Sequence, residues 1–379
     1  MKKYQICIKC VIDNQSYKDV KFNREGICTY CINFKNNIEP LLNKLEKDEK
    51  NYTKNFKNRL QKQKNKEYDC LIGVSGGVDS SYLVYHAVRK LNLRPLLYHV
   101  DTGWNNAIAV SNIEKLLNKY ELDLFTEVID WNEMKDLCRS FLFAQVPYME
   151  SIQDHAIWSG MHIHAKKNGI KNILTGGNLQ TESYRPPLYI AYYAGDLLLL
   201  KDIQNKFGKV KIDKFPTLDI FEYKLLYRYV YGIKLHEPLN YIKYNKNVAI
   251  EMLTKEIDWK AYGDKHHESN FTKFFDGYWK PNKFNHDARK GQLSSLVATG
   301  QTTREQALEN LKTSYYDSEE NINRDFQYIS SKLGFTVQEL KSIFEGECKY
   351  FYDYRSKFKI LNVLTKIMRM LKMESRNIS

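Results

Sequence analysis

Cys70-Leu-Ile-Gly-Val-Ser75-Gly-Gly-Val-Asp79-Ser-Ser81 is the stretch from which the rest of the chain is read. Cys70 to Val74 is an apolar run with the length of a buried strand. Ser75-Gly76-Gly77 follows. Asp79-Ser80-Ser81 then leads into Tyr82 to Val88, whose apolar residues fall on one face at helical spacing. The string therefore predicts a strand, a glycine turn and a helix N-terminus. Two glycines let the backbone turn sharply and let a ligand approach closely. Free N–H groups at a helix start, with the helix dipole, form an anion site. Ser75, Ser80 and Ser81 add hydroxyls, and Asp79 can hold a divalent cation such as Mg²⁺ beside phosphates. A plain capped turn accounts for a bare Gly-Gly; the full S-G-G-x-D-S string between strand and helix points to phosphate binding. No Gly-Lys-Ser/Thr follows, so it is not a Walker A loop, and the third glycine of a dinucleotide fingerprint is missing.

The 379 residues suffice for a sizeable core and two or three domains, and a hydrophobic content of 43% is that of a globular protein. No apolar run approaches membrane-spanning length and no signal peptide opens the sequence, so a soluble, cytoplasmic protein without a transmembrane segment is expected. Four of the seven cysteines form one cluster, which suits a metal site in a reducing compartment. The net charge of +13 is compatible with nucleic acid, an anionic membrane surface or small anionic ligands. Lysine spread over a solvated surface explains it equally well, and no nucleic-acid partner is expected.

Cys7-x-x-Cys10 and Cys28-x-x-Cys31, 17 residues apart, can place four thiolates around one Zn²⁺. A structural zinc ribbon over residues 1–38 is the reading; free thiols and an iron–sulfur cluster are the alternatives. Four thiolates would fill the tetrahedron, so the ribbon's role is structural or partner-facing. Residues 39–68 read as basic linker helices, with Leu41, Leu42, Leu45, Phe56 and Leu60 at helical spacing.

Residues 69–235 alternate strand and helix: strands at 94–101, 124–129 and 171–175, helices at 105–120, 132–143 and 153–168. Such alternation predicts an α/β fold with a doubly wound parallel sheet. Ligands of these sheets sit beyond the carboxyl ends of the strands. Ser75-Gly76-Gly77, Asp101, Asp130 and Gly176-Gly177-Asn178 all fall at that rim. Next, Arg185 before two prolines is a natural anion clamp and Glu182 a possible base or metal ligand; a surface turn forced by the prolines is the plainer alternative. Residues 215–232 suggest a helix packed on the sheet.

Residues 236–379 read as a mainly helical substrate or partner region. Lys265, His266, Glu268 and Lys273 gather groups that donate, accept or shuttle protons, although a solvated charged loop fits as well. Thr302-Thr303-Arg304-Glu305 predicts a capping box for a helix at 305–313. The basic, apolar tail from Phe358 to Met373 is expected to dock on its own domain rather than on a membrane.

Several stretches together resemble one family. They are the two Cys-x-x-Cys pairs, Val74-Ser-Gly-Gly-Val-Asp-Ser80, Val100-Asp-Thr-Gly-Trp104, Val128-Ile-Asp-Trp131 and Gln153-Asp-His-Ala-Ile157. Further on come Ile173-Leu-Thr-Gly-Gly-Asn178, Arg185-Pro-Pro187, Pro238-Leu-Asn-Tyr241, Tyr262-Gly-Asp-Lys-His266, Glu268-Ser-Asn-Phe-Thr-Lys-Phe274 and Leu293-Ser-Ser295. The loop is similar to the PP-loop of the ATP pyrophosphatases. The combination resembles the N-acetyl sugar amidotransferases of bacterial O-antigen, pseudaminic and legionaminic acid pathways, over residues 1 to about 312. His267, Asn270 and Gly177 depart from the pattern, and Asn270 puts one substrate contact in doubt. The tail from 313 to 379 lies outside the resemblance.

The resemblance implies a PP-loop, adenine nucleotide alpha hydrolase-like fold using ATP, Mg²⁺ and Zn²⁺. It implies conversion of a sugar acetamido group to an acetamidino group through an adenylated imidate. Ser75, Gly76, Gly77, Asp79, Ser80 and Ser81 would hold pyrophosphate and Mg²⁺; Val74, Asp101 and Gly176 would border the nucleotide. Glu182, Lys265, His266 and Glu268 would handle protons, and Arg185, Lys273 and Asn178 would bind a free or nucleotide-linked sugar. None of Cys70, Cys138 and Cys348 sits in a glutaminase-type G-x-C-x-G elbow, so a separate glutaminase subunit is expected to supply ammonia. A PP-loop tRNA-modifying enzyme of the thiolation type competes, but Cys70 and Cys138 form no Cys-x-x-Cys. A zinc-ribbon binding module without catalysis is the third reading, and the intact loop argues against it.

Overall fold

A computed structural model of the chain describes residues 3–62, 67–262 and 267–370. Five parallel strands form its sheet: β1 Cys70–Gly73, β2 Pro95–Asp101, β3 Leu124–Val128, β4 Asn172–Leu174 and β5 Lys234–His236, in the order β3-β2-β1-β4-β5. In register, Ile72 lies beside Leu97 of β2 and Leu174 of β4.

Alternation along the strands sends side chains into two layers. Leu71 and Tyr98 join one core with Phe141, Ile152 and Met161 of the helices Trp131–Phe143 and Glu150–Lys167. Ile72 and Leu97 join another with Val84, Leu116 and Leu253 of the helices Val78–Tyr85, Ala107–Tyr120 and Lys246–Ile257. Helices thus cover both faces, and β1 is apolar throughout because neither face meets water. The expected doubly wound parallel sheet is present, and its carboxyl rim positions the site.

Local chemistry sets the helix starts. Asp130, read as a rim residue, accepts the N–H groups of Asn132 and Glu133 as an N-cap and pairs with Lys214 at 2.9 Å. The later box forms between Thr303 and Gln306, and its helix is Arg304–Lys312. Glu305 is not the partner, because the reciprocal bond needs the third residue after the cap. β5 was not anticipated: three residues are too few to show a period. Of the expected 215–232 helix, Ile220 to Val230 is helical, with Glu222–Val230 a π-helix, while Phe215 and Leu218 fold into the core as loop residues.

The basic helix Glu49–Lys62 buries Phe56 and Leu60 in the second core. Phe326, Ile329, Leu333 and Leu340 of the helices Glu319–Leu333 and Val337–Glu345 extend the first core. The tail helix Phe358–Met370 docks through Phe358 on Phe351 and through buried Leu361. Among the described residues no helix is long and apolar enough to cross a membrane.

Candidate active site

The glycine turn is built by close approach. Gly76 has φ +80°, and a Cβ there would lie 2.1 Å from the Ala109 carbonyl oxygen, so only glycine fits. Its own carbonyl accepts the Trp259 indole N–H at 3.1 Å and the Asn112 amide at 3.3 Å. The Ser80 hydroxyl donates to the Gly77 carbonyl at 3.1 Å and lies 3.3 Å from the Ser75 nitrogen. Gly77 caps the helix Val78–Tyr85 in an extended conformation with no side-chain cap, which leaves the N-terminal dipole aimed at the cavity. From the other side Gly176 sits directly on that helix start: a Cβ on it would meet the Asp79 carbonyl carbon and the Ser80 nitrogen at 2.8 Å. Loops after β1 and β4 therefore close one backbone-lined cradle.

A cavity of 670 Å³ opens over this cradle. Of the residues selected from sequence, Val74, Ser75, Gly77, Asp79, Ser80, Gly176, Glu182, Arg185 and Glu268 line it. Its carboxylates are oriented by phenols. Tyr244 donates its hydroxyl to Asp79 Oδ1, and Tyr262 donates to Glu268 Oε2 at 3.2 Å. Burial first, and then the facing carboxylate, pushes both tyrosine hydroxyls well above their ordinary range. Both remain protonated donors at any working pH. Three carboxylates beside a phosphate cradle offer hard oxygen donors that suit Mg²⁺.

Other selected residues support the wall without lining it. Gly76 forms the turn. Ser81 is fully buried, and its N–H donates to the Gly77 carbonyl. Asp101 accepts the Gly103 N–H at 2.8 Å and shapes the turn after β2. Asn178 is buried and caps the short helix Leu179–Glu182 through the Thr181 N–H. Lys273 pairs with Asp325 at 2.9 Å and lies over the Tyr316 ring. Lys265 and His266 lie outside the described residues.

Sequence reasoning missed the far end of the cavity. Lys280 bridges Glu150 at 2.5 Å and Asp276 at 2.8 Å, with only 8% of the lysine side chain exposed. Burial pushes the Glu150 carboxyl up, to about 8; Lys280 opposes this and Asp276 reinforces it. Burial works against the Lys280 charge, but Asp276 and Glu150 outweigh it and its proton affinity rises. His286 is fully buried in the same wall. Its Nδ1 donates to the Ser16 carbonyl at 2.9 Å, and its Nε2 has no hydrogen-bond partner among the described residues. Burial, with a smaller contribution from the Lys280 charge, lowers its pKa to about 4 despite the bond to Ser16, so it is a neutral acceptor. Glu150 and Lys280 are 130 positions apart, and no local spacing signals such a pair. Gln153 accepts the hydroxyls of Thr102 at 3.0 Å and Ser269 at 3.1 Å. It ties the turn after β2 to the Glu268–Phe274 segment.

The four ribbon sulfurs lie within 4.8 Å of one another. Cys7–Cys31 is 3.8 Å and Cys10–Cys28 3.6 Å. Sulfurs at ~2.3 Å around a tetrahedral Zn²⁺ are about 3.8 Å apart. Backbone N–H groups of Lys9, Ile12, Cys28 and Cys31 point at ligand sulfurs at 3.3 to 3.5 Å, as thiolates require. The cluster fits a single tetrahedral ion.

Residues 268–368 match the family model described as "LPS biosynthesis protein WbpG-like, C-terminal domain". The match supports the resemblance read from the sequence. It also corrects its extent, because most of the tail after residue 312 falls inside the match. An uncharacterized protein of Methanocaldococcus jannaschii is 25% identical over 128 residues, 34% of this chain; the chain spans 44% of that relative's length. Among solved structures, NMN synthetase from Francisella tularensis aligns at 13% identity over 70% of this chain and 94% of its own, with a TM-score of 0.35. The U34-tRNA thiolase NcsA from Methanococcus maripaludis, with its 4Fe-4S cluster, aligns at 13% over 80% and 88%, TM-score 0.29. The NH3-dependent NAD synthetase from Campylobacter jejuni aligns at 16% over 56% and 94%, TM-score 0.28. At these scores the likenesses carry no functional argument.

Proposed function

With the resemblance to the N-acetyl sugar amidotransferases supported over its C-terminal part, we propose that this chain is an ATP-dependent amidotransferase. It replaces the oxygen of a sugar acetamido group by nitrogen, giving an acetamidino group, in the synthesis of a bacterial surface polysaccharide such as lipopolysaccharide O-antigen. The observation that carries this reading is the cradle: an uncapped helix start, two glycine loops in contact, and Asp79, Glu182 and Glu268 lining the cavity that opens over it.

The chemistry follows from the poor reactivity of an amide. Its carbonyl is a weak electrophile and its oxygen a poor leaving group. The amide oxygen attacks the α-phosphorus of ATP and pyrophosphate leaves. Ammonia then adds to the imidate carbon, a proton is removed, and AMP departs with the former amide oxygen. Ser75, Gly77 and Ser80 with the helix dipole would hold the departing pyrophosphate, where preorganised donors matter most. Asp79 and Glu182 would hold Mg²⁺, which neutralises phosphate charge. Val100 of β2 and Ile157, Trp158 and Met161 of the helix Glu150–Lys167 supply apolar lining that would take the purine. Glu150, Lys280 and His286 would face the acceptor sugar, with Arg185 at the exposed mouth available to an anionic or nucleotide-linked group. Asp101, Asn178 and Lys273 would act as positioning residues through the bonds described. Lys265, His266 and Glu268 are the candidates for proton handling.

Cys70 and Cys138 are both fully buried in the core, where burial raises their thiols, and the Cys348 thiol donates to the Lys283 carbonyl. None is presented as a sulfur carrier or a glutaminase nucleophile, which supports a separate glutaminase subunit as the ammonia source and disfavours thiolation. An acceptor labelled with oxygen-18 in its acetamido group tests the mechanism. The label is expected in AMP; unlabelled AMP with amidine formation would exclude adenylation of the amide oxygen.

A further inference from the structure

We propose that the cysteine ribbon is a positioning element of the cavity, and that Tyr184 carries the state of its metal site to the Glu182–Arg185 wall. From sequence the ribbon reads as structural or partner-facing. Its contacts run inward. Tyr184 lies between Glu182 and Arg185, lines the cavity and is 3% exposed. Its hydroxyl donates to Cys31 Sγ at 3.3 Å, and its ring stacks on Tyr30 of the ribbon at 6.0 Å. Its backbone N–H donates to Ser295 Oγ at 3.0 Å. One residue therefore joins a ligand sulfur, the candidate catalytic loop and the helix Arg289–Ala298.

The first knuckle is held from the same side. Arg304 donates to the Cys7 carbonyl at 2.9 Å and the Cys10 carbonyl at 3.1 Å. Ser294 Oγ accepts the Val11 N–H at 3.3 Å. His286, in the cavity wall, donates to Ser16 of the ribbon. An O–H to a metal-bound thiolate is charge-assisted, and such outer partners fix ligand orientation. The coupling works in both directions. With a metal ion, Cys31 is a thiolate held in place, and Tyr184 has a fixed acceptor. Without the ion, nothing ties the two knuckles of so small a module together and they lose their closure. The wall then loses its backing, whereas the phosphate cradle, built on β1 and β4, does not.

Hydrogen exchange on the full chain tests this without any substrate, so its outcome is independent of the proposed reaction. Zinc-loaded and chelated protein are compared over residues 179–190 and 70–85. Chelation is expected to accelerate exchange in 179–190 strongly and leave 70–85 protected. Tyr184→Phe, which keeps the ring, is expected to weaken metal affinity about tenfold and to speed exchange in 179–190 while zinc is bound. In turnover it raises the KM for the acceptor and leaves that for ATP unchanged; this last readout alone rests on the function proposed above. Exchange confined to residues 3–34 after chelation, or a Phe variant with unchanged metal affinity and unchanged exchange in 179–190, would overturn the proposal.

Discussion

The Tyr244 hydroxyl donates to the Asp79 carboxylate across 165 positions of sequence. It joins the loop that follows β5 to the first turn after β1, so the candidate Mg²⁺ ligand is aimed by a residue outside its own loop. Tyr244→Phe keeps the buried ring and removes the donor. A hydrogen bond to a charged group is worth ~1.5–3 kcal/mol, so pyrophosphate release is expected to fall roughly 10- to 100-fold with the thermal midpoint little changed. Asp79→Ala should abolish release with metal content intact. Normal turnover by the alanine variant would refute the assigned nucleotide site.

Gly76→Ala is expected to disrupt the cradle, because both the positive φ and the 2.1 Å approach to Ala109 exclude a side chain. ATP binding by calorimetry should be lost. Gly169→Ala is the control. It has φ +66° with nothing within 4 Å of a Cβ, so it should cost about 1 kcal/mol of stability and leave ATP binding unchanged.

The Glu150–Lys280–Asp276 group gives a pH signature. A carboxyl raised from its ordinary value of 4.5 to about 8 keeps its proton in the folded protein after the unfolded chain has released it. Its stabilisation is complete below the unfolded value and is lost as pH rises through the folded one. The thermal midpoint should therefore fall from about pH 5 to about pH 9 by more in the parent than in Glu150→Gln. Equal slopes would mean that Glu150 is ionised throughout. Lys280→Ala, which leaves the buried Asp276 carboxylate without its cation, should destabilise by ~3–5 kcal/mol.

The loop, the parallel sheet and the cysteine cluster were legible because each is local: a run of five apolar residues, a glycine string, a fixed Cys spacing. The far wall was not. Glu150, Asp276, Lys280 and His286 meet through the fold, and each alone looks like an ordinary surface residue. Lys273 shows what a local string leaves out. It sits in a proton-rich string, and its ammonium pairs with Asp325, 52 positions on. β5 was hidden by shortness, and a period that is neither two nor 3.6 blurred the bounds of the helix expected at 215–232.

Pyrophosphate release by the full-length protein with ATP, Mg²⁺ and ammonium chloride tests the central claim most directly. A panel of free and nucleotide-linked acetamido sugars is supplied in parallel with bulk tRNA. Release that depends on a sugar, with a product about one mass unit lighter because NH replaces oxygen, is the predicted result and names the acceptor. Release that depends on tRNA alone would contradict it.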